Sequence, residues 1–292
     1  MKNTGWKGNL HGHCYYCDGM GSPEEYVERA LELGHAFIGF SSHVPLARHN
    51  SPWNMAAENF YKYLNHIQDL RRQYEGKIEI YCGFEMDDPY SLYTTSELCQ
   101  IYEDMVSYTI GSVHYVGELP DGSLWQVDGS TEEFLRGVEE LCNGSVEAAV
   151  GQYFNCIKHM LTFYQPTILG HVDKILIHPP VQQLLRIKPE FFRKRLEEIF
   201  ALAKRQGTVV EINTRGLYSG RYHDYYPSRQ FWPLLKVLET PVVVHSDCHA
   251  PQELDALCHK AWETAYYAGL RIIAIPQALA NGPMNGSSLS CG

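Results

Sequence analysis

The sequence predicts an α/β fold in which a mostly parallel sheet closes into a TIM-like barrel. Two observations carry this expectation. Short apolar segments alternate with helical patterns seven or eight times, and successive apolar segments end in histidine, glutamate or aspartate. A doubly wound open sheet is the competing architecture.

Taken in order, Gly8 to His13 is a strand candidate. Ser22-Pro23-Glu24-Glu25 then reads as the N-cap, N1 proline and acidic first turn of a helix running towards Gly34. Phe37-Ile38-Gly39-Phe40 is the second strand and ends in Ser41-Ser42-His43. A helix over 57–74, a strand over 78–85, a helix over 96–103 and a strand over 108–114 continue the alternation. Helical pattern covers 131–164. Strands at 167–171, 208–213, 242–247 and 271–275 then alternate with helices over 189–205, 228–238 and 251–268. Residues 1–280 are expected to form a single barrel domain, and the Gly, Pro and Ser content of 281–292 marks a loose C-terminal tail.

Composition narrows the function. With 45% hydrophobic residues the chain can bury a large core, and its net charge of −10 argues against a broad cationic surface for nucleic acid. A small substrate fits better, since a few Arg or Lys side chains in a pocket bind one phosphate whatever the net charge. No apolar run reaches the roughly 18 residues of a membrane helix. Nine cysteines without a cationic and apolar leader at Met1 to Gly12 suggest a cytoplasmic protein, not a secreted disulfide framework. Cys14 and Cys17 have C-x-x-C spacing, but no second such pair completes a zinc ribbon.

The placement of His11 and His13, His43, Glu85, His114, His171, and Asp247 with His249 is the most informative feature. Each follows an apolar strand candidate, and the carboxyl ends of parallel barrel strands converge on one cleft. Alternate side chains of a strand share a face, so His11 and His13 can meet one metal across Gly12, and Asp247 and His249 repeat the spacing. Imidazoles and carboxylates suit Zn²⁺, Mn²⁺ or Fe²⁺. One histidine alone is more often a hydrogen-bonded structural residue, and H-x-H is a weak signal. Six strand ends carrying such groups are hard to attribute to packing, because burying unpaired polar groups costs several kcal/mol each.

These residues resemble the PHP (polymerase and histidinol phosphatase) family, especially its histidinol-phosphate phosphatase branch. The matching blocks are His11-Gly12-His13 with Asp18-Gly19, Ser41-Ser42-His43-Val44-Pro45, Gly83-Phe84-Glu85, Gly111-Ser112-Val113-His114, Gly170-His171-Val172-Asp173-Lys174, Glu211-Ile212-Asn213-Thr214 and Ser246-Asp247-Cys248-His249. The resemblance implies a distorted (β/α)7 barrel with two or three divalent metal ions. It implies that His11, His13, Glu85 and Asp247 hold one ion, that Glu85 bridges to a second held by His114 and His171, and that a third lies near Asp18, His43 and His249. Many histidinol phosphatases have a histidine where this chain reads Cys17-Asp18, so Asp18 would substitute.

A metal-activated water needs no Ser or Cys nucleophile, and neither a G-x-S-x-G elbow nor a G-x-x-x-x-G-K-[ST] loop is present. Arg48, Lys174, Arg215 and Arg221 are candidates to bind the phosphoryl group, with Lys174 and Arg215 preferred. Asp247 or His249 is the candidate general acid for the leaving alkoxide, and His223 is a further one. If the substrate is histidinol phosphate, Asp87, Asp88 and Tyr90 can meet its ammonium and imidazole, although both aspartates also read as turn residues. The expected function is therefore a metal-dependent phosphomonoesterase acting on histidinol phosphate, without nucleic-acid or membrane partners. A PHP-type phosphodiesterase or nuclease and a non-catalytic metal-binding protein are the alternatives.

Overall fold

The computed structural model describes residues 6–49, 51–87, 90–102 and 105–273; Asp88 and the expected tail at 281–292 lie outside them. Seven strands form the central sheet: β1 (Gly8–Asn9), β2 (Phe37–Phe40), β3 (Glu79–Asp87), β4 (Tyr108–Ser112), β7 (Ile168–Leu169), β8 (Val209–Asn213) and β9 (Val242–His245). A hairpin, β5 (Tyr115–Glu118) with β6 (Leu124–Gln126), stands apart. In spatial order the strands run β1, β2, β3, β4, β7, β8, β9, and every neighbouring pair is parallel.

The seam between β1 and β9 is closed only at its carboxyl end. There Gly12 bridges Cys248: the Cys248 N–H donates to the His11 carbonyl at 3.2 Å and the His13 N–H donates to the Cys248 carbonyl at 2.8 Å. A side chain at Gly12 would place its Cβ 2.9 Å from Cys248 Sγ, so the small residue between the two histidines is needed for this contact. The Trp6 indole, donating to the Val244 carbonyl at 3.0 Å, and Asn9 Oδ1, accepting from the Ser246 N–H at 2.9 Å, fasten the rest of the seam. The expected distorted seven-stranded barrel is thus present, nearly closed. Of the eighth strand candidate, Ile272 forms a single parallel bridge with Val242.

Inside the barrel Leu10, Phe37, Tyr108, Ile110, Ile168, Val209 and Val243 pack together. Removing side chains of this size from water contributes roughly 1.5–3 kcal/mol each. Tyr108 spans the interior and donates its hydroxyl to the carbonyls of Leu10 and Phe40. A Cβ at Gly39 or Gly83 would lie 2.5 Å from its ring or hydroxyl, which explains those two glycines in apolar strands.

The outer layer comprises α1 (Pro23–Glu32), α2 (Phe60–Gln73), α3 (Thr95–Ile101), α4 (Thr131–Cys142), α5 (Val146–Phe163), α6 (Pro179–Ile187), α7 (Pro189–Gln206), α8 (Arg215–Tyr218), α9 (Trp232–Leu238) and α10 (Cys258–Ala268). Ser22 caps α1 in a reciprocal box with Glu25, and Thr94 with Glu97 and Ser130 with Glu133 do the same for α3 and α4. The helical stretch expected over 131–164 is two helices, because Asn143 and Gly144 take positive φ of 49° and 74° and turn the chain. The β5–β6 hairpin and α6 were not anticipated, although Pro120-Asp121-Gly122 is a turn signature. Among the described residues no helix is long and apolar enough to cross a membrane, and the described cysteines are free thiols.

Candidate metal centre

The carboxyl ends of the barrel strands gather His11, His13, Asp18, His43, Glu85, His114, His171, Asp247 and His249 into one cluster. Glu85, near the end of β3, is its pivot. Its Oε2 lies 3.2 Å from His11 Nε2, 3.2 Å from His13 Nε2 and 3.4 Å from His43 Nδ1, while Oε1 lies 2.9 Å from His171 Nε2 and 3.7 Å from His114 Nε2. One carboxylate therefore faces two groups of imidazoles.

Asp247 completes the first group. Its Oδ1 is 3.6 Å from His11 Nε2 and 3.5 Å from His13 Nε2. Bonds of about 2.0–2.2 Å from a tetrahedral ion place its donors roughly 3.3–3.6 Å apart, close to the 3.2–3.6 Å that separates the two imidazole nitrogens from the Glu85 and Asp247 oxygens. Asp18 centres a further group, with His249 Nε2 3.3 Å from its Oδ2, and His13 Nδ1 and His43 Nε2 3.7 and 3.8 Å from its Oδ1.

Several buried atoms aimed into the cluster, among them His11 Nε2, His13 Nε2, Asp18 Oδ1 and His43 Nδ1, have no hydrogen-bond partner. Leaving such groups unmade costs about 1–3 kcal/mol each, and metal ions satisfy all of them together. The donor set fits divalent ions.

Electrostatics point the same way. Burial alone would raise the carboxyl of Glu85, yet His11, His43 and His114 hold it well below the ordinary range. Asp247 and Asp18 are likewise held low against burial, Asp247 chiefly by His11 and His13, Asp18 by His249, His43 and His13. Conversely, the carboxylates of Glu211, Asp247 and Glu85 overcome burial and push His11 well up, and Asp87 and Asp128 push His114 up to about 9. The cleft is a concentration of negative charge that favours bound cations.

Carboxylates outside the expected set orient the imidazoles. Glu211 on β8 accepts from His11 Nδ1 at 2.6 Å, from His245 Nδ1 at 3.0 Å, from the His171 N–H at 3.1 Å and from Asn213 Nδ2 at 2.9 Å. Asp87 accepts from the N–H and Nδ1 of His114 at 2.7 and 2.8 Å. Asp87 is thus a buried strand-end residue, neither an open turn nor a free partner for substrate. Such contacts fix ring orientation and tautomer in metal sites. Asp247 takes φ 55°, a left-handed conformation that aspartate tolerates, while Arg215 and Tyr218 donate to its carbonyl at 2.9 and 3.0 Å.

The four expected cations separate. Lys174 Nζ is largely buried, 3.0 Å from Asp128 Oδ2 and 3.4 Å from His114 Nε2, at the edge of the cluster. Lys174, Arg215 and Arg221 line one cleft with Tyr226, although Arg221 also donates to the Asp128 and Gly129 carbonyls at 2.6 and 3.2 Å. Arg48 is exposed on the loop after β2 and lines a separate recess, and His223 is exposed against Tyr222.

Residues 9–215 match the PHP domain. The chain belongs to the PHP family. Among its relatives is a Deinococcus radiodurans protein named "Probable histidinol-phosphatase", 26% identical over 84% of this chain and 86% of its own length. The PHP barrel also superposes on a candidate histidinol phosphatase from Listeria monocytogenes, with TM-score 0.72, 22% identity, and 85% and 97% of the two chains covered. A histidinol phosphate phosphatase from Lactococcus lactis, solved with zinc, L-histidinol and phosphate, aligns at TM-score 0.67 and 22% identity over 91% and 95% of the chains.

Proposed function

We propose that this chain is a metal-dependent phosphomonoester hydrolase that converts histidinol phosphate and water to histidinol and phosphate in histidine biosynthesis, in the cytoplasm. One observation above all supports the reading: in a PHP barrel, buried imidazole and carboxylate atoms converge at ligand spacing without hydrogen bonds of their own. The histidinol-phosphatase relatives make histidinol phosphate the first substrate to test.

His11, His13, Glu85 and Asp247 form one ion site. Glu85 Oε1, His114 and His171 would hold a second, and Asp18, His43 and His249 a third; zinc, manganese and iron all suit these donors. Divalent ions held by these residues would supply hydroxide from water near neutral pH and offset charge on the phosphoryl oxygens. Lys174, 3.4 Å from His114 Nε2, and Arg215, which donates to the Asp247 carbonyl, lie at the edge of the cluster and would offset charge on the phosphoryl group. Asp247 stays ionised and serves as a ligand rather than the acid. When only the first two sites are filled, His249, with 17% side-chain exposure against 0–7% for the other five imidazoles, is left free to deliver the proton to the leaving alkoxide.

The test is phosphate release by metal-replete protein from histidinol phosphate, other phosphomonoesters and single-stranded DNA. Preference for histidinol phosphate is expected. Preferential cleavage of DNA, or no release from any monoester, overturns the proposal.

A further inference from the structure

Beyond the metal cluster, a file of aromatic rings leads from the ligands to the protein surface. The half-buried Trp53 indole lies with its centroid 6.5 Å from the His43 ring and 6.3 Å from the His114 ring. Tyr115 follows at 5.8 Å from Trp53, Tyr90 at 6.1 Å from Tyr115, and His49 at 6.3 Å from Tyr90, each contact edge to face. The file ends at a recess of about 370 Å³ lined by Arg48, His49, Tyr90 and Glu118.

The wall is braced. Val44 N–H donates to the Glu85 carbonyl at 3.0 Å and Ala47 N–H to the Tyr90 carbonyl at 3.0 Å, which ties the loop carrying Trp53 to the end of β3. The Tyr115 hydroxyl donates to Ser51 Oγ at 3.3 Å from the hairpin side. Trp53 and Tyr90 are half-buried, with the buried Tyr115 between them as their brace; half-exposed rings held in this way meet a bound molecule at little entropic cost.

We infer that Trp53 and Tyr90, braced by the buried Tyr115, wall the subsite of the leaving group, and that with Glu118 at the outer end they select one that carries a planar ring and a positive charge. This rests on the proposed phosphatase reading and adds the specificity of the same site. With the phosphoryl group at the ion cluster, the ester's other half extends past Trp53, the ring nearest the ligands. A flat cation gains both stacking and attraction to ring faces. Glu118 adds a carboxylate, 3.3 Å from His49 Nε2; Arg48 shares the recess, so charge selection rests on Glu118 and the ring faces together.

Three substrates separate the contributions: histidinol phosphate is flat and cationic, p-nitrophenyl phosphate is flat and uncharged in its leaving group, and glycerol phosphate is neither. With the metal-replete full chain, Trp53→Leu is expected to lower kcat/KM for both flat substrates relative to glycerol phosphate by about fivefold to thirtyfold, with recovery in Trp53→Phe. Glu118→Gln is expected to lower histidinol phosphate relative to p-nitrophenyl phosphate by about twofold to fivefold, as suits an exposed carboxylate. Equal losses on all three substrates, or unchanged ratios, overturn the subsite. Wild-type protein that hydrolyses glycerol phosphate but not histidinol phosphate instead overturns the substrate reading, a separate outcome.

Discussion

The Glu211 carboxylate accepts the Nδ1 proton of His11 at 2.6 Å across a sequence separation of 200 residues. Burial alone would raise its carboxyl, but His11 and His245 hold Glu211 ionised, so it accepts and His11 Nδ1 donates. With Nδ1 committed to Glu211, Nε2 is the His11 atom that faces Glu85 and Asp247 and the one that would be left to bind an ion.

Glu211→Gln should therefore weaken the centre without removing any atom from its inner ring of donors. An amide has only one accepting oxygen and no charge, so it cannot take both imidazoles on one oxygen and the His171 N–H and Asn213 Nδ2 on the other as the carboxylate does, and loss of such an orienting group typically costs about 10–100-fold in metal affinity or activity. Elemental analysis after dialysis and steady-state rates read the effect. Full occupancy with unchanged turnover would remove Glu211 from the account.

His114→Ala and Asp247→Asn should lower metal content and rate far more than the stability of the metal-free chain. Both side chains are buried at the catalytic rim but lie outside the apolar cluster that fills the barrel. Occupancy, phosphate release and the melting temperature of chelator-treated protein together decide the point. Unchanged metal content and turnover in both variants would dismiss the centre.

Lys174→Met should lower the rate by about 10²-fold or more, the scale for loss of one preorganised electrostatic partner. It should also destabilise the fold, because Asp128 is buried and loses its 3.0 Å partner; breaking such a pair costs roughly 3–5 kcal/mol. Asp128→Asn in the same chain should restore much of the stability and none of the rate. Recovery of rate in the double variant would show that Lys174 acts only structurally.

Acid stability should carry the signature of His35. This buried ring packs edge-on against Trp6 at 4.9 Å with neither nitrogen hydrogen-bonded, and burial pushes its pKa down to about 4 against the weaker opposing pull of Asp255. Its folded value lies below the ordinary 6.5, so protons favour the unfolded chain. The stability is complete above about pH 6.5 and drains as pH falls towards 4, amounting to about 3 kcal/mol. Denaturant titrations of chelator-treated protein at pH 7 and pH 5 should show a smaller pH difference for His35→Phe than for wild type. An identical difference in the two proteins would refute the assignment.

Much of the centre was legible because ligand-bearing residues sit at strand ends, and strand ends are visible as apolar runs that stop at a polar residue. His43 after Phe37–Phe40 and Asp247 after Val242–Val244 are plain cases. Glu211 and Asp87 orient imidazoles, a role that the sequence hides for opposite reasons. Glu211 is flanked by Val210 and Ile212 inside a strand, and its partner His11 lies 200 residues away in the chain. Asp87 adjoins Asp88 and Pro89, a sequence that reads as a turn, while β3 continues through it. Asp128 follows a hairpin strand and carried no periodic signal.

The order of apolar and polar residues along the chain determined the alternation of strands and helices and the chemical identity of the donors, since both depend on neighbours within a few positions. Tertiary structure alone decided that Glu85 offers one oxygen to His11 and the other to His171, that Glu211 selects the free nitrogen of His11, and that Arg48 stands apart from Lys174 and Arg215. Such choices turn on separations near 3 Å between groups tens to hundreds of residues apart, which the register and closure of the barrel set and no local pattern encodes.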